Sequence, residues 1–328
     1  MEFRFRLVSI FAFFIVALVL ASHAAPSTEE YWKKLLPNTP IPKTIQDSLQ
    51  SGTTGVTVGN HGVDVNVGKP GKGGPVVTVG GPKRKHPVVY VNRGKPFPFR
   101  YKYAATQTQL HDNPNVALFL VEKDLKPRTQ INMQFIKSTN DAPFLPRPIA
   151  ESIPFSSEKM TAVYHRFDVT PGSNEAEIMK ETLKECETKG IKGEEKHCVT
   201  SLESMLDYVT SNLGNKVALV TNSVEKETKL QKYVIKRVKY VSGSATMICH
   251  KMNYAYGVFY CHKTDATKTY KVSLVGVDGT KVDAAVICHT NTSTWNPKHL
   301  AFQVLKVKPG TTPICHFLPE DHIIWISK

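Results

Sequence analysis

Between Cys249 and Trp325 a cysteine is followed directly by a histidine four times: Cys249-His250, Cys261-His262, Cys288-His289 and Cys315-His316. Ten residues separate the first two pairs, 25 the second and third, and 25 the third and fourth; Trp325 follows after eight more. Six cysteines and twelve histidines in 328 residues would give about 0.2 such dipeptides by chance. In an extended strand, neighbouring side chains point to opposite faces. A Cys-His dipeptide on a strand therefore sends sulfur one way and imidazole the other. If this holds at all four places, the cysteines cross-link while His250, His262, His289 and His316 converge elsewhere. Four convergent imidazoles suit copper or zinc, and nitrogen donors in a tetragonal arrangement favour Cu(II). The alternative is four histidines hydrogen-bonded within a polar core, each beside a cysteine for packing reasons.

Which thiol chemistry applies depends on compartment. Arg4 and Arg6 precede the uncharged apolar run from Leu7 to Ala21, which ends in Ser22-His23-Ala24-Ala25-Pro26. A basic start, a short apolar middle and small residues at the cut describe a secretory signal over residues 1–24. The run is short for a membrane span of about 20 residues, and no second segment approaches that length, so no stable membrane insertion is expected. All six cysteines lie beyond the signal. In an oxidising compartment, six cysteines read as three disulfides drawn from 15 connectivities, with zinc held by thiolates as the runner-up. Cys186 and Cys198 bracket a polar loop, Glu187 to His197, between the second and third helices and pair most simply with each other. For the dyads, the favoured pairing is Cys249–Cys261 across a hairpin around Ala255-Tyr256-Gly257, leaving Cys288–Cys315.

Net charge is +14, and between Gly52 and Tyr103 nine Lys and Arg face the single acid Asp64. Such a segment can hold an acidic polysaccharide electrostatically; a solvated linker is the alternative. A secreted chain without a binding motif is not expected to bind nucleic acid. No nucleophile elbow, phosphate loop or zincin motif supports hydrolase or kinase chemistry. Asn291-Thr292-Ser293 is a glycosylation sequon two residues past His289.

The elements that must position the dyads follow from pattern. A short amphipathic stretch with Tyr31 and Trp32, stopped by prolines, occupies residues 25–50. Residues 51–103 repeat one theme, valine alternating with a polar residue between glycines, and read as a mostly disordered basic spacer. A domain over 115–328 opens with a strand at 116–121 and another at 130–136. Prolines make 144–155 a loop or an extended edge. Three helices follow. The first carries Met160, Val163, Tyr164 and Phe167, the second Met179, Leu183 and Cys186, and the third starts from a Thr200–Glu203 capping box and ends at Gly214. Strands are then expected at 217–220, 233–241, 245–249, 270–277, 281–288, 300–307 and 323–326. The class is α+β, helices grouped before a mainly antiparallel sheet region.

The dyad spacing with its trailing Trp325 resembles the signature of the BURP domain of plant secreted proteins, matching at every marker. The Tyr31-Trp32 segment before Pro37-Asn38-Thr39-Pro40 resembles the stretch that follows the signal in BURP precursors, and the valine-threonine-glycine repeats resemble those of the dehydration-responsive subgroup. At the first domain strand the family's usual phenylalanine pair is Phe119-Leu120 here. The resemblance implies secretion to the apoplast or cell wall and a role in responses to drought, salt and abscisic acid, with pectin or wall proteins as partners. One branch of the family is the non-catalytic subunit of a polygalacturonase. Another consists of copper-dependent peptide cyclases that cross-link Tyr or Trp side chains; under that reading Tyr101 and Tyr103 are the residues to be cross-linked here. Cyclase precursors usually carry repeated cores ending in an aromatic residue, whereas these repeats end in valine and glycine. A wall-associated protein without turnover is therefore the leading expectation.

Overall fold

The computed structural model describes residues 27–50, 54–59, 62–67, 119–135, 142–190, 194–224, 228–242, 245–264, 266–319 and 321–328. The expected signal over residues 1–24, Tyr101 and Tyr103 lie outside them. Within the repeats, β1 (Thr54–Gly59) pairs with β2 (Gly62–Val67), setting Val56 opposite Val65 and Val58 opposite Val63. The first two repeat units are thus paired strands. Their valine alternation is strand-like.

Two antiparallel sheets build the domain. The smaller has the order β5 (Glu194–Val199), β10 (Val258–Thr264), β9 (Thr246–Met252), β14 (Ile323–Ser327), β6 (Val217–Val220). The larger runs β3 (Phe119–Val121), β13 (Ile314–Phe317), β12 (Lys281–His289), β11 (Thr267–Gly276), β8 (Gln231–Ser242), β4 (Gln130–Met133), with β7 (Ser223–Val224) also on β12. Strict alternation sorts the side chains. Met247, Cys249, Phe259, Cys261, Ile323 and Trp325 share the outer face of the five-stranded sheet. Ile248, Ala285, Ile287, Ile324 and Ile326 meet between the sheets. The larger sheet carries its own core, to which both edge strands contribute through Leu120 and Met133, joined by Cys288 and Cys315. Asn222 ties the layers, donating to the Leu318 carbonyl and accepting from the Ala285 amide.

Helices α1 (Thr28–Leu35), α2 (Lys43–Gln50) and α6 (Leu202–Leu213) contribute to the cluster on the outer face of the smaller sheet. Residues Trp32, Leu36 and Ile45 are thus part of the same core as α6 and the smaller sheet. Trp32 is 1% exposed and lies 5.7 Å from Trp325, ring to ring. Its indole N–H donates to the Thr39 carbonyl, and Thr28 Oγ1 donates to the buried Glu203. Two more helices, α4 (Met160–Phe167) and α5 (Asn174–Glu187), pack around Tyr254 and Tyr256.

Four local expectations change. Residues 300–307 form α7 (Leu300–Leu305), not a strand. Buried Ala301 and Phe302 are adjacent rather than alternating, and His299 Nδ1 accepts from the Ala301 amide as the cap. Within 144–155 a short helix, α3 (Arg147–Glu151), forms because Pro148 sits in its first turn, where a missing N–H costs nothing. Residues 194–199, expected as polar loop, are edge strand β5, whose apolar signal is weak because alternate side chains reach solvent. The cap of α6 is Ser201 with Ser204, one residue later than expected.

Trp32→Ala is expected to destabilise the disulfide-intact protein by about 3–5 kcal/mol, as for other buried large-to-small changes. Urea denaturation measures it; a change below about 0.5 kcal/mol would mean residues 27–50 merely rest on the domain.

Candidate metal centre

Each half of the centre is a strand pair stapled through its cysteines. In β9–β10, Cys249 lies directly opposite Cys261 and bonds to it, with Cα atoms 4.0 Å apart. In β12–β13, Cys288 lies opposite Cys315 and bonds to it, with Cα atoms 3.8 Å apart. Cys186 bonds to Cys198, pinning α5 to β5. A cross-strand staple fixes register, and register fixes facing: each histidine one residue on must turn to the opposite face. His250 and His262 therefore point from the smaller sheet toward His289 and His316 of the larger one.

All four rings are at most 3% exposed. His250 Nε2 is 3.2 Å from His262 Nε2, and His289 Nε2 is 3.3 Å from His316 Nε2. Two nitrogens bound tetrahedrally to one ion at metal–ligand length would stand about 3.3 Å apart, so each hairpin presents a pair at ligand spacing. Between sheets the ring centroids are wider, 6.3 Å for both His250–His316 and His262–His289. The four make a slightly open rectangle, and no three ligating groups among the described residues are already drawn in as an ion would hold them. The donor set nevertheless fits copper or zinc: four buried imidazoles, with every dyad thiol already consumed in a disulfide.

The matched region decides the family: the BURP domain model fits residues 118–327. The chain belongs to the BURP-domain family. It is similar along its whole length to BURP domain protein RD22 of Arabidopsis thaliana, at 41% identity with both chains fully covered. BURP domain-containing protein 3 of Oryza sativa subsp. japonica is 39% identical over 98% of this chain and 99% of its own length. BURP domain-containing protein 5 of the same plant is 41% identical over 94% and 89%. Whole-length similarity to RD22, repeats included, places the chain in the dehydration-responsive subgroup.

Seen against the BURP signature, Trp325 is not part of the histidine chamber. It faces the cysteine side, buried against Trp32, and is structural. The chamber instead contains residues that the dyad pattern did not indicate. Trp295 stands edge-on to His289 at 5.0 Å, and Phe119 to His316 at 6.3 Å. Tyr260 is 5.4 Å from His262. His322 Nδ1 is 2.9 Å from His250 Nδ1, and Glu194 Oε1 is 3.0 Å from His262 Nδ1. For His322 a signal existed, three residues before the signature tryptophan; for Glu194, in a polar stretch, none did. Asn291 is exposed in the turn after β12, its side-chain oxygen accepting from Ser293.

Burial sets the protonation state. Desolvation, reinforced by neighbouring histidines, holds His250 and His289 well below the usual imidazole range. Burial likewise takes His316 down to about 3 and His322 to about 4, the latter against an opposing pull from Asp321. Neutral imidazole keeps a lone pair free for a metal.

These depressed values couple folding to pH. The unfolded chain binds protons near pH 6.5, whereas the folded rings refuse them until far lower pH. Their contribution is fully present above pH 6.5 and is lost as pH falls from there toward 4 and below. Each such group steepens the loss by up to about 1.4 kcal/mol per pH unit. Urea midpoints of metal-free protein should fall steadily between pH 7 and 4; a flat profile would show these rings open to water.

Proposed function

We propose that this BURP-domain protein is secreted to the plant cell wall, where its basic spacer holds acidic pectin-like polysaccharide and its four-imidazole chamber carries copper. It acts in responses to drought, salt and abscisic acid without turnover. The observation carrying the metal assignment is the convergence of four buried imidazoles from two separately stapled strand pairs. Nε2 of His250, His262, His289 and His316 would hold the ion, and bound copper supplies one-electron chemistry. The Cys249–Cys261 and Cys288–Cys315 bonds keep the paired strands from parting, while Trp295 and Phe119 keep water out. In the secreted protein Asn291 is the glycan acceptor, directed away from the chamber by its exposed turn.

A second reading, a copper-dependent cyclase acting on its own Tyr101 or Tyr103, is favoured by one contact. The chain enters the described domain at Phe119, beside His316, and both tyrosines lie fewer than twenty residues upstream in sequence.

Untagged, disulfide-intact secreted protein should take up Cu(II) stoichiometrically, and the His262→Ala/His289→Ala double variant should not. Failure of the native protein to bind removes the metal assignment. Intact mass after copper incubation separates the two readings: a loss of about 2 Da mapped to the Tyr101–Tyr103 peptide supports cyclisation, and unchanged mass supports the non-catalytic role. Retention on polygalacturonate should weaken with salt and vanish on deletion of residues 52–103; retention that survives the deletion assigns binding to the domain.

A further inference from the structure

Among the described residues, the buried groups that the metal assignment leaves unexplained form a connected string. It begins at Lys251, whose ammonium lies 3.9 Å from Asp321 Oδ2. Asp321 Oδ1 is 3.9 Å from His322 Nε2, and His322 Nδ1 is 2.9 Å from His250 Nδ1. Across the chamber His262 Nδ1 faces Glu194 Oε1 at 3.0 Å, and Tyr260 donates to the same oxygen at 3.3 Å. Lys251 is 7% exposed and Asp321 3%, and the Glu194 side chain is equally sequestered. Charges are rarely kept this deep unless they are paired.

We propose that Glu194 and the Asp321–His322 pair are positioning residues that select the tautomers of His262 and His250. This rests on the metal reading of the chamber. An imidazole that offers Nε2 to a metal must carry its proton on Nδ1. A carboxylate at Nδ1 stabilises that form of His262 and raises the basicity of the other nitrogen. Glu194 occupies that position, although the His262 N–H direction is not yet aligned on its oxygen. His250 meets a ring nitrogen instead of a carboxylate. For His250 Nδ1–H to donate, His322 Nδ1 must accept, which places the His322 proton on Nε2. Asp321 lies on that side at ion-pair distance and favours that placement. Lys251 balances the Asp321 charge. Both ligand tautomers of the β9–β10 pair are thus set by a carboxylate, one directly and one through a second imidazole.

The test uses full-length, disulfide-intact protein with Cu(II) and Zn(II) as probes. Glu194→Ala and His322→Phe should each weaken metal binding about 10- to 100-fold and shift the nitrogen hyperfine pattern and d–d band of the copper form. Glu194→Gln, whose amide oxygen still accepts, should recover most of the affinity. Thr292→Val, a buried change outside the string, controls for simple destabilisation: it should lower the melting temperature and leave the copper spectrum unchanged. Native protein that binds copper, with both variants matching it in affinity and spectrum, would overturn this assignment alone. No binding by native protein would overturn the metal centre itself, and the two failures are therefore distinct.

Discussion

The strongest constraint in this molecule is the direct opposition of cysteines across paired strands. A disulfide between facing residues leaves those two strands a single register, and one register leaves each following histidine a single face. The β9–β10 and β12–β13 pairs obey this independently, and stacking of the sheets through Ile248, Ala285 and Ile287 brings the two results together. Loop closure of this kind stabilises by about 3 kcal/mol per bond, by a mechanism that is model-dependent. Here its positional effect matters as much as its energetic one. Four polar rings that would each prefer water are held in a dry seam.

That seam carries a cost elsewhere in the fold. Buried imidazoles, a buried ammonium and buried carboxylates replace what could have been aliphatic packing between sheets. The surrounding structure offsets this with dense apolar clusters on both outer faces and with Trp32, imported from far upstream, over the signature Trp325. Stability at the periphery and polarity at the centre belong to one arrangement.

Much of this was legible in the sequence because it depends on period two. The β-branched runs along 246–252 and 281–289 reveal the strands, and the two-residue period of a strand then gives the facing of each cysteine and histidine. Helices α4 and α5 were equally readable from their apolar stripes. What escaped depends on tertiary context. Strand β5 is polar and exists because β10 offers it an edge; α7 is too short for propensity to declare it. Glu194 belongs to the chamber only because β5 pairs as it does. The N-terminal helices were visible as an amphipathic stretch, but nothing local says that Trp32 packs against Trp325 at the other end of the chain.

That last packing gives the repeat segment an unusual mechanical status. Its upstream flank is anchored by α1 and α2, its downstream flank by β3, and both anchors belong to the same folded body. The repeats are therefore a handle fixed at two ends rather than a tail. No cysteine precedes Cys186, so a single proteolytic nick in the handle would leave two polypeptides clasped only by noncovalent contacts. A load on the handle would pull on both fixings at once, reaching the tryptophan seam through the upstream one and the strand that carries His316 through β3.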